Sequence, residues 1–122
     1  MDPKVVVEKL RSFFASEKGV EFAYLFGSVA RGEYGKLSDI DIALMCKDRC
    51  DTLQLLAKLS KVLEFDDIDL VDLKRAKNLR LLKDIIKDGI VLKDSPLRWK
   101  WEIAKYHQAL DFMSHTKAVY GY

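Results

Sequence analysis

The chain has 122 residues, 49% hydrophobic and 33% charged, enough apolar material for one domain around a single core and too much for a disordered segment. Its formal net charge of +2, with Lys and Arg interleaved among Asp and Glu, gives no bulk attraction to nucleic acid, so direct nucleic-acid binding is not expected. No apolar run approaches the roughly 20 residues of a membrane helix, and the opening Met-Asp-Pro-Lys is no secretory segment, so a cytoplasmic protein without a membrane partner is expected.

Asp2 and Pro3 open a first helix, a capping carboxylate followed by a residue pre-set for the first turn. Val6, Leu10, Phe13 and Phe14 continue it at helical spacing until Gly19. Phe22 to Phe26, aromatic and bounded by glycines, predicts a first strand. Residues 27 to 38, with glycines at 27, 32 and 35, read as a turn, a short helical turn and a loop. A second strand is expected from about Ser38 to Cys46. Asp51 then caps a helix whose stripe is Leu55, Leu56, Leu59, Val62 and Leu63.

A third strand is expected from Ile68 to Leu73, and Leu79, Leu82, Ile85 and Ile86 mark a helix closed by Gly89. Lys83, Asp84, Lys87 and Asp88 form its solvated face. Ile90 to Leu92 predicts a short strand, and Ser95-Pro96 opens a last helix unbroken before Gly121. The alternation gives an α/β (α+β) fold, with residues 1–94 as the domain and 95–122 as a helical extension.

Cys46 and Cys50 lack Cys-x-x-Cys spacing and a nearby His, so they are expected to be packing residues, neither zinc ligands nor a disulfide. His107 and His115 stand eight residues apart on one helix, too far to chelate one ion, and are expected at the surface or an interface. In the last helix Trp99, Ile103, Tyr106, Leu110 and Met113 make a seam at steps of four and three. Such a seam packs into a core or against a second helix, in a homodimer or a hetero-oligomer.

The chemistry concentrates in Ser38-Asp39-Ile40-Asp41-Ile42-Ala43-Leu44. A strand's period of two puts Asp39 and Asp41 on one face and the isoleucines on the other. Two like charges side by side cost stability unless a cation or donors compensate, and oxygen ligands suit Mg²⁺ together with substrate phosphates. In Ile68-Asp69-Leu70-Val71-Asp72-Leu73 only one acid can share that face. Asp69 is the candidate, with Asp72 left for capping or an ion pair and Asp66 and Asp67 in solvent. Gly27 and Ser28 follow the first strand, where glycine admits a close phosphate and serine adds a hydroxyl.

Gly27-Ser28, ten intervening residues and Asp39-Ile40-Asp41, followed by Asp69, resemble the signature of the nucleotidyltransferase superfamily related to DNA polymerase beta. The wording Gly-Ser-Val-Ala-Arg-Gly and the Ile-Asp-Leu-Val-Asp-Leu strand are similar to the minimal nucleotidyltransferases, MNT proteins encoded beside HEPN-domain toxins; the likeness covers residues from about 5 to 94. The resemblance implies a small mixed β-sheet flanked by helices. It makes Asp39, Asp41 and Asp69 the catalytic, metal-binding acids, and Gly27, Ser28 and Arg31 the nucleotide contacts. Val29 stands where many relatives carry another arginine.

The activity implied is Mg²⁺-dependent transfer of AMP from ATP, through two ions, to a tyrosine hydroxyl of a HEPN toxin, which makes the chain an antitoxin. The alternatives are a module that neutralises its partner by binding alone and an adenylyltransferase of a small molecule such as an aminoglycoside.

Overall fold

Side-chain caps set three of the helix starts. Asp2 Oδ1 accepts from Lys4 N at 3.0 Å, Asp51 Oδ1 from Gln54 N at 3.1 Å, and Asn78 Oδ1 from Arg80 N and Leu81 N at 3.1 and 3.2 Å, each satisfying amides that the first turn leaves free. The computed structural model describes residues 2–33 and 39–119, the side chains of 109–119 excepted. Along it run α1 (Pro3–Ser16), β1 (Val20–Phe26), α2 (Gly27–Ala30), β2 (Ile40–Cys46), α3 (Thr52–Leu63), β3 (Ile68–Asp72), α4 (Leu79–Asp88), β4 (Ile90–Lys93) and α5 (Pro96–Val119). Of the expected elements, Gly35 and Ser38 lie outside the described residues, and β2 is assigned from Ile40.

The strands form one mixed sheet in the order β3-β2-β1-β4. β1 runs antiparallel to β2 and β4, and β2 parallel to β3. Ala23, Leu25, Ile40, Ile42 and Leu44 point to one face, where Val6, Leu10 and Phe14 of α1 and Leu55, Leu59 and Leu63 of α3 close the core. The opposite face carries Phe22, Tyr24, Ala43 and Leu73 beneath Leu82 and Ile85 of α4. Val62 of the expected α3 stripe lies at its margin, 37% exposed.

α5 is held by the sheet through a face that the seam did not indicate. The Trp101 ring packs 5.6 Å from Phe22 and 6.1 Å from Tyr24, centroid to centroid. The Tyr24 hydroxyl donates to Glu102 Oε1. Arg98 donates to the same oxygen at 2.7 Å and grips both carboxylate oxygens of Asp94 at 2.6 and 3.2 Å. Burial first, then the Glu102 carboxylate, holds the Tyr24 hydroxyl well above its ordinary pKa, so it stays a donor.

Trp99, Ile103 and Tyr106 of the expected seam face outward, 62%, 43% and 40% exposed, and are not core residues. The helix is apolar on two sides, so spacing alone did not choose between them. The side chains of Leu110, Met113 and His115 lie outside the described residues, and His107 is exposed.

The cysteines also depart from expectation. Cys46, the last residue of β2, is bonded to Cys50, with Cα atoms 5.5 Å apart. Both still pack against the α1/α3 core, but as a linked pair: a four-residue separation across a strand end meets the geometric requirement of a disulfide, which motif spacing did not signal.

Candidate active site

β1 delivers the chain to Gly27, which has φ +77° and opens the single turn of α2. That turn and its exit are closed by Arg31 N to Gly27 O at 3.2 Å, Gly32 N to Val29 O at 3.1 Å and Glu33 N to Ser28 O at 2.8 Å. A side chain at Gly27 is excluded twice. Its φ lies where L residues are rare, and a Cβ there would meet Asp41 Oδ2 at 2.2 Å. Glycine is therefore what lets this corner sit directly on the Asp41 carboxylate.

β2 brings Asp41 to that corner by register. Asp41 pairs with Phe26, the residue before Gly27, on the β1 side, and with Asp69 on the β3 side. Asp39 precedes β2 by one residue and is exposed, as is Asp69, whereas Asp41 is half-buried. Burial is the largest influence raising the Asp41 pKa above the usual carboxylate value; Asp69 and then Asp39 push the same way, and Arg31 opposes them. Gly27, Asp39, Asp41, Asp69 and Arg31 thus share one electrostatic neighbourhood, with Ser28 next to Gly27 in the turn.

The remaining acids lie as expected. Asp66 and Asp67 are exposed, and Asp72 accepts from Lys74 N at 3.0 Å and faces Arg75 Nε at 3.9 Å. Val29 is 6% exposed and belongs to the core under the turn, so this position offers no phosphate contact. Arg31 is 45% exposed and pairs with Glu33 at 3.4 Å, a contact that a stronger anion can replace. The Tyr24–Glu102–Arg98 clamp beside the site strand had one sequence signal, the i, i+4 pair Arg98 and Glu102 on α5.

The donors suit a hard divalent cation. Among the described residues, no three Asp, Glu, His or Cys side chains already enclose an ion position. Mg²⁺ does not need such a cage, because it takes one or two carboxylates and completes its shell with water and phosphate oxygens. A half-buried carboxylate whose charge is disfavoured first by burial and then by two neighbouring acids gains from a cation, and the Gly27 corner lies directly against it.

Known proteins resemble the chain in sequence and fold. Protein adenylyltransferase MntA of Shewanella oneidensis is 37% identical over 73 residues, 57% of this chain and 51% of that protein, so the chain aligns with about half the length of this curated relative. A toxin–antitoxin crystal structure with AMP-PNP superposes with a TM-score of 0.65 at 26% identity, covering 97% of this chain and 91% of that one. A tri-AMPylated Shewanella oneidensis HEPN toxin in complex with an MNT antitoxin gives 0.64 at 24% identity, over 95% and 90% of the two chains, a likeness of fold. The family described as polymerase beta nucleotidyltransferase matches residues 8–96. Because that match spans the whole sheet, the Gly27 corner and the three acids, the chain belongs to the polymerase beta nucleotidyltransferase family.

Proposed function

We propose that the protein is a Mg²⁺-dependent nucleotidyltransferase that moves AMP from ATP to a tyrosine hydroxyl of a HEPN-domain toxin, and so serves as an antitoxin. The observation that carries this reading is Asp41, half-buried between the Gly27 corner and Asp69, where burial first and the neighbouring acids after it disfavour its charged form. A carboxylate kept at such a cost stands where a cation and a polyphosphate repay it. The relative named a protein adenylyltransferase and the similar toxin–antitoxin structure with AMP-PNP support the nucleotide and the acceptor class.

Gly27 and Ser28 receive the phosphate chain, the first by holding the turn against Asp41 and the second by its hydroxyl, and Arg31 leaves Glu33 to pair with a phosphate oxygen. Asp39 and Asp41, with Asp69, hold the metal. When bound, one or two Mg²⁺ ions supply neutralisation of the triphosphate charge and orientation of the leaving group. The acceptor tyrosine oxygen attacks the α-phosphorus, a new P–O bond forms, and the bond to pyrophosphate breaks. Asp69, exposed beside Asp41, is the carboxylate on the solvent side that takes the hydroxyl proton. Positioning and charge stabilisation supply most of the effect, which is why a small domain suffices.

The test is transfer of label from α-labelled ATP to a purified HEPN partner in Mg²⁺. Asp39→Asn and Asp41→Asn are expected to abolish transfer with the fold retained, and chelation by EDTA to do the same reversibly. Wild-type transfer by either variant removes the mechanism. Variants that transfer nothing yet neutralise the partner as well as wild type establish binding alone as the function.

A further inference from the structure

The far end of β2 carries chemistry unrelated to the acids. Cys46 is 4% exposed and embedded in the α1/α3 core, whereas its bonded partner Cys50 is half-buried and lines an open cavity of about 360 Å³ with Asp48, Arg49, Thr52, Asp72, Lys74 and Arg75. Cys50 therefore borders the cavity, and Cys46 does not. Lys74 Nζ donates to the carbonyls of Lys47 and Asp48 at 3.1 and 2.7 Å, which pins the chain just before Cys50. Asp72 is turned to its own chain by Lys74 N and Arg75, and Arg49 is exposed on the cavity's rim.

We propose that Cys46 and Cys50 form a reversible dithiol–disulfide clasp that exchanges with a small anionic thiol of the glutathione class, which docks in this cavity and reacts at Cys50. In the oxidising direction the Cys50 thiolate attacks one sulfur of the small disulfide, whose S–S bond breaks and releases one thiolate. Cys46 then gives its proton to solvent and attacks the Cys50 sulfur, expelling the second thiolate. The protein loses two electrons and two protons, and the small disulfide becomes two thiols. Reduction runs the same steps backwards. Arg49, Lys74 and Arg75 outnumber Asp48 and Asp72 around the cavity and favour an anionic reagent, while burial makes Cys46 the resolving sulfur. The clasp fixes residues 47–51 at the entry to α3, where Asp51 caps the helix. Asp41 lies five residues back along β2, about 17 Å in a strand, so the clasp is independent of AMP transfer.

The experiment equilibrates the folded full chain with glutathione and glutathione disulfide, quenches by alkylation and reads intact mass. Wild type is expected to open and close reversibly without unfolding. Cys46→Ser is expected to take one glutathione at Cys50, and Cys50→Ser to take none. Arg49→Gln with Arg75→Gln, placed on Cys46→Ser, is expected to slow the reaction with glutathione disulfide roughly tenfold but not the reaction with cationic cystamine. If a serine variant does not fold, opening of the wild-type bond by glutathione and by cysteamine, with and without the arginines, reads the same discrimination. A bond that opens only on unfolding, equal reaction at Cys46, or rates indifferent to the arginines would each overturn the proposal.

Discussion

The two faces of the sheet are made from the same strands and carry different duties. On the α1/α3 face β2 presents Ile40, Ile42, Leu44 and Cys46 to a closed apolar core. On the other it presents Ala43 beneath α4, but Asp41 at the end where the neighbour is the Gly27 corner. The period of two permits both, and a slip of one residue would turn Asp41 into the core. Both faces therefore bury apolar side chains, one along the whole of β2 and the other only away from its Asp41 end, where the charges a site needs are placed. Substitutions at the Asp41 edge and in the buried cores are therefore expected to separate activity from stability.

The largest effect sharpens the site side of that comparison. Gly27→Ala drives a Cβ into Asp41 Oδ2 and strains a positive φ, so it is expected to remove AMP transfer about as completely as Asp41→Asn. Thermal unfolding should show the sheet still formed. Near-normal transfer by Gly27→Ala would mean that the corner and the carboxylate do not act together.

Leu59→Ala tests the opposite face. Leu59 is 0% exposed in the α1/α3 core, so its loss is expected to cost about 2–5 kcal/mol in a urea melt, while the transfer rate of the folded fraction stays at the wild-type value. A smaller contrast is drawn within α5. Trp101→Ala removes the ring that packs on Phe22 and Tyr24 and is expected to cost about 3 kcal/mol or more. Trp99→Ala, at a side chain 62% exposed, is expected to change stability by about 0.5 kcal/mol or less. Equal losses would show that α5 is held by its outer seam after all.

Much of this arrangement was legible in the chain because alternation and capping are local signals. Ile40, Ile42 and Leu44 against Asp39 and Asp41 fixed the two faces of β2, and Asp2 and Asp51 fixed two helix starts. What depended on three-dimensional neighbours was less legible. The bond between Cys46 and Cys50 follows from where the chain turns after β2, and the choice of the Trp101 side of α5 over the Trp99 side follows from Phe22 and Tyr24 on a distant strand. For the third acid, parity allowed only one of Asp69 and Asp72 and mid-strand position favoured Asp69; its place opposite Asp41 required the parallel register of β2 and β3.

The smallest effect is also the most diagnostic of how the site is charged. Folding raises the Asp41 pKa, by burial first and by Asp69 and Asp39 after it, so the folded chain binds this proton more tightly than the unfolded one. The stability linked to protonated Asp41 is fully present below the ordinary aspartate value and is lost as pH rises through the raised folded value; above that, the ionised group opposes folding. Asp41→Asn is therefore expected to melt at a higher temperature than wild type at pH 7 without metal or nucleotide. The gap should narrow as pH falls through the folded value of Asp41 and close in stronger acid. Mg²⁺ with ATP should then stabilise wild type by mass action and the variant much less. A variant less stable than wild type at pH 7 would mean that Asp41 is compensated within the protein itself, and that its charge is not waiting for a cation.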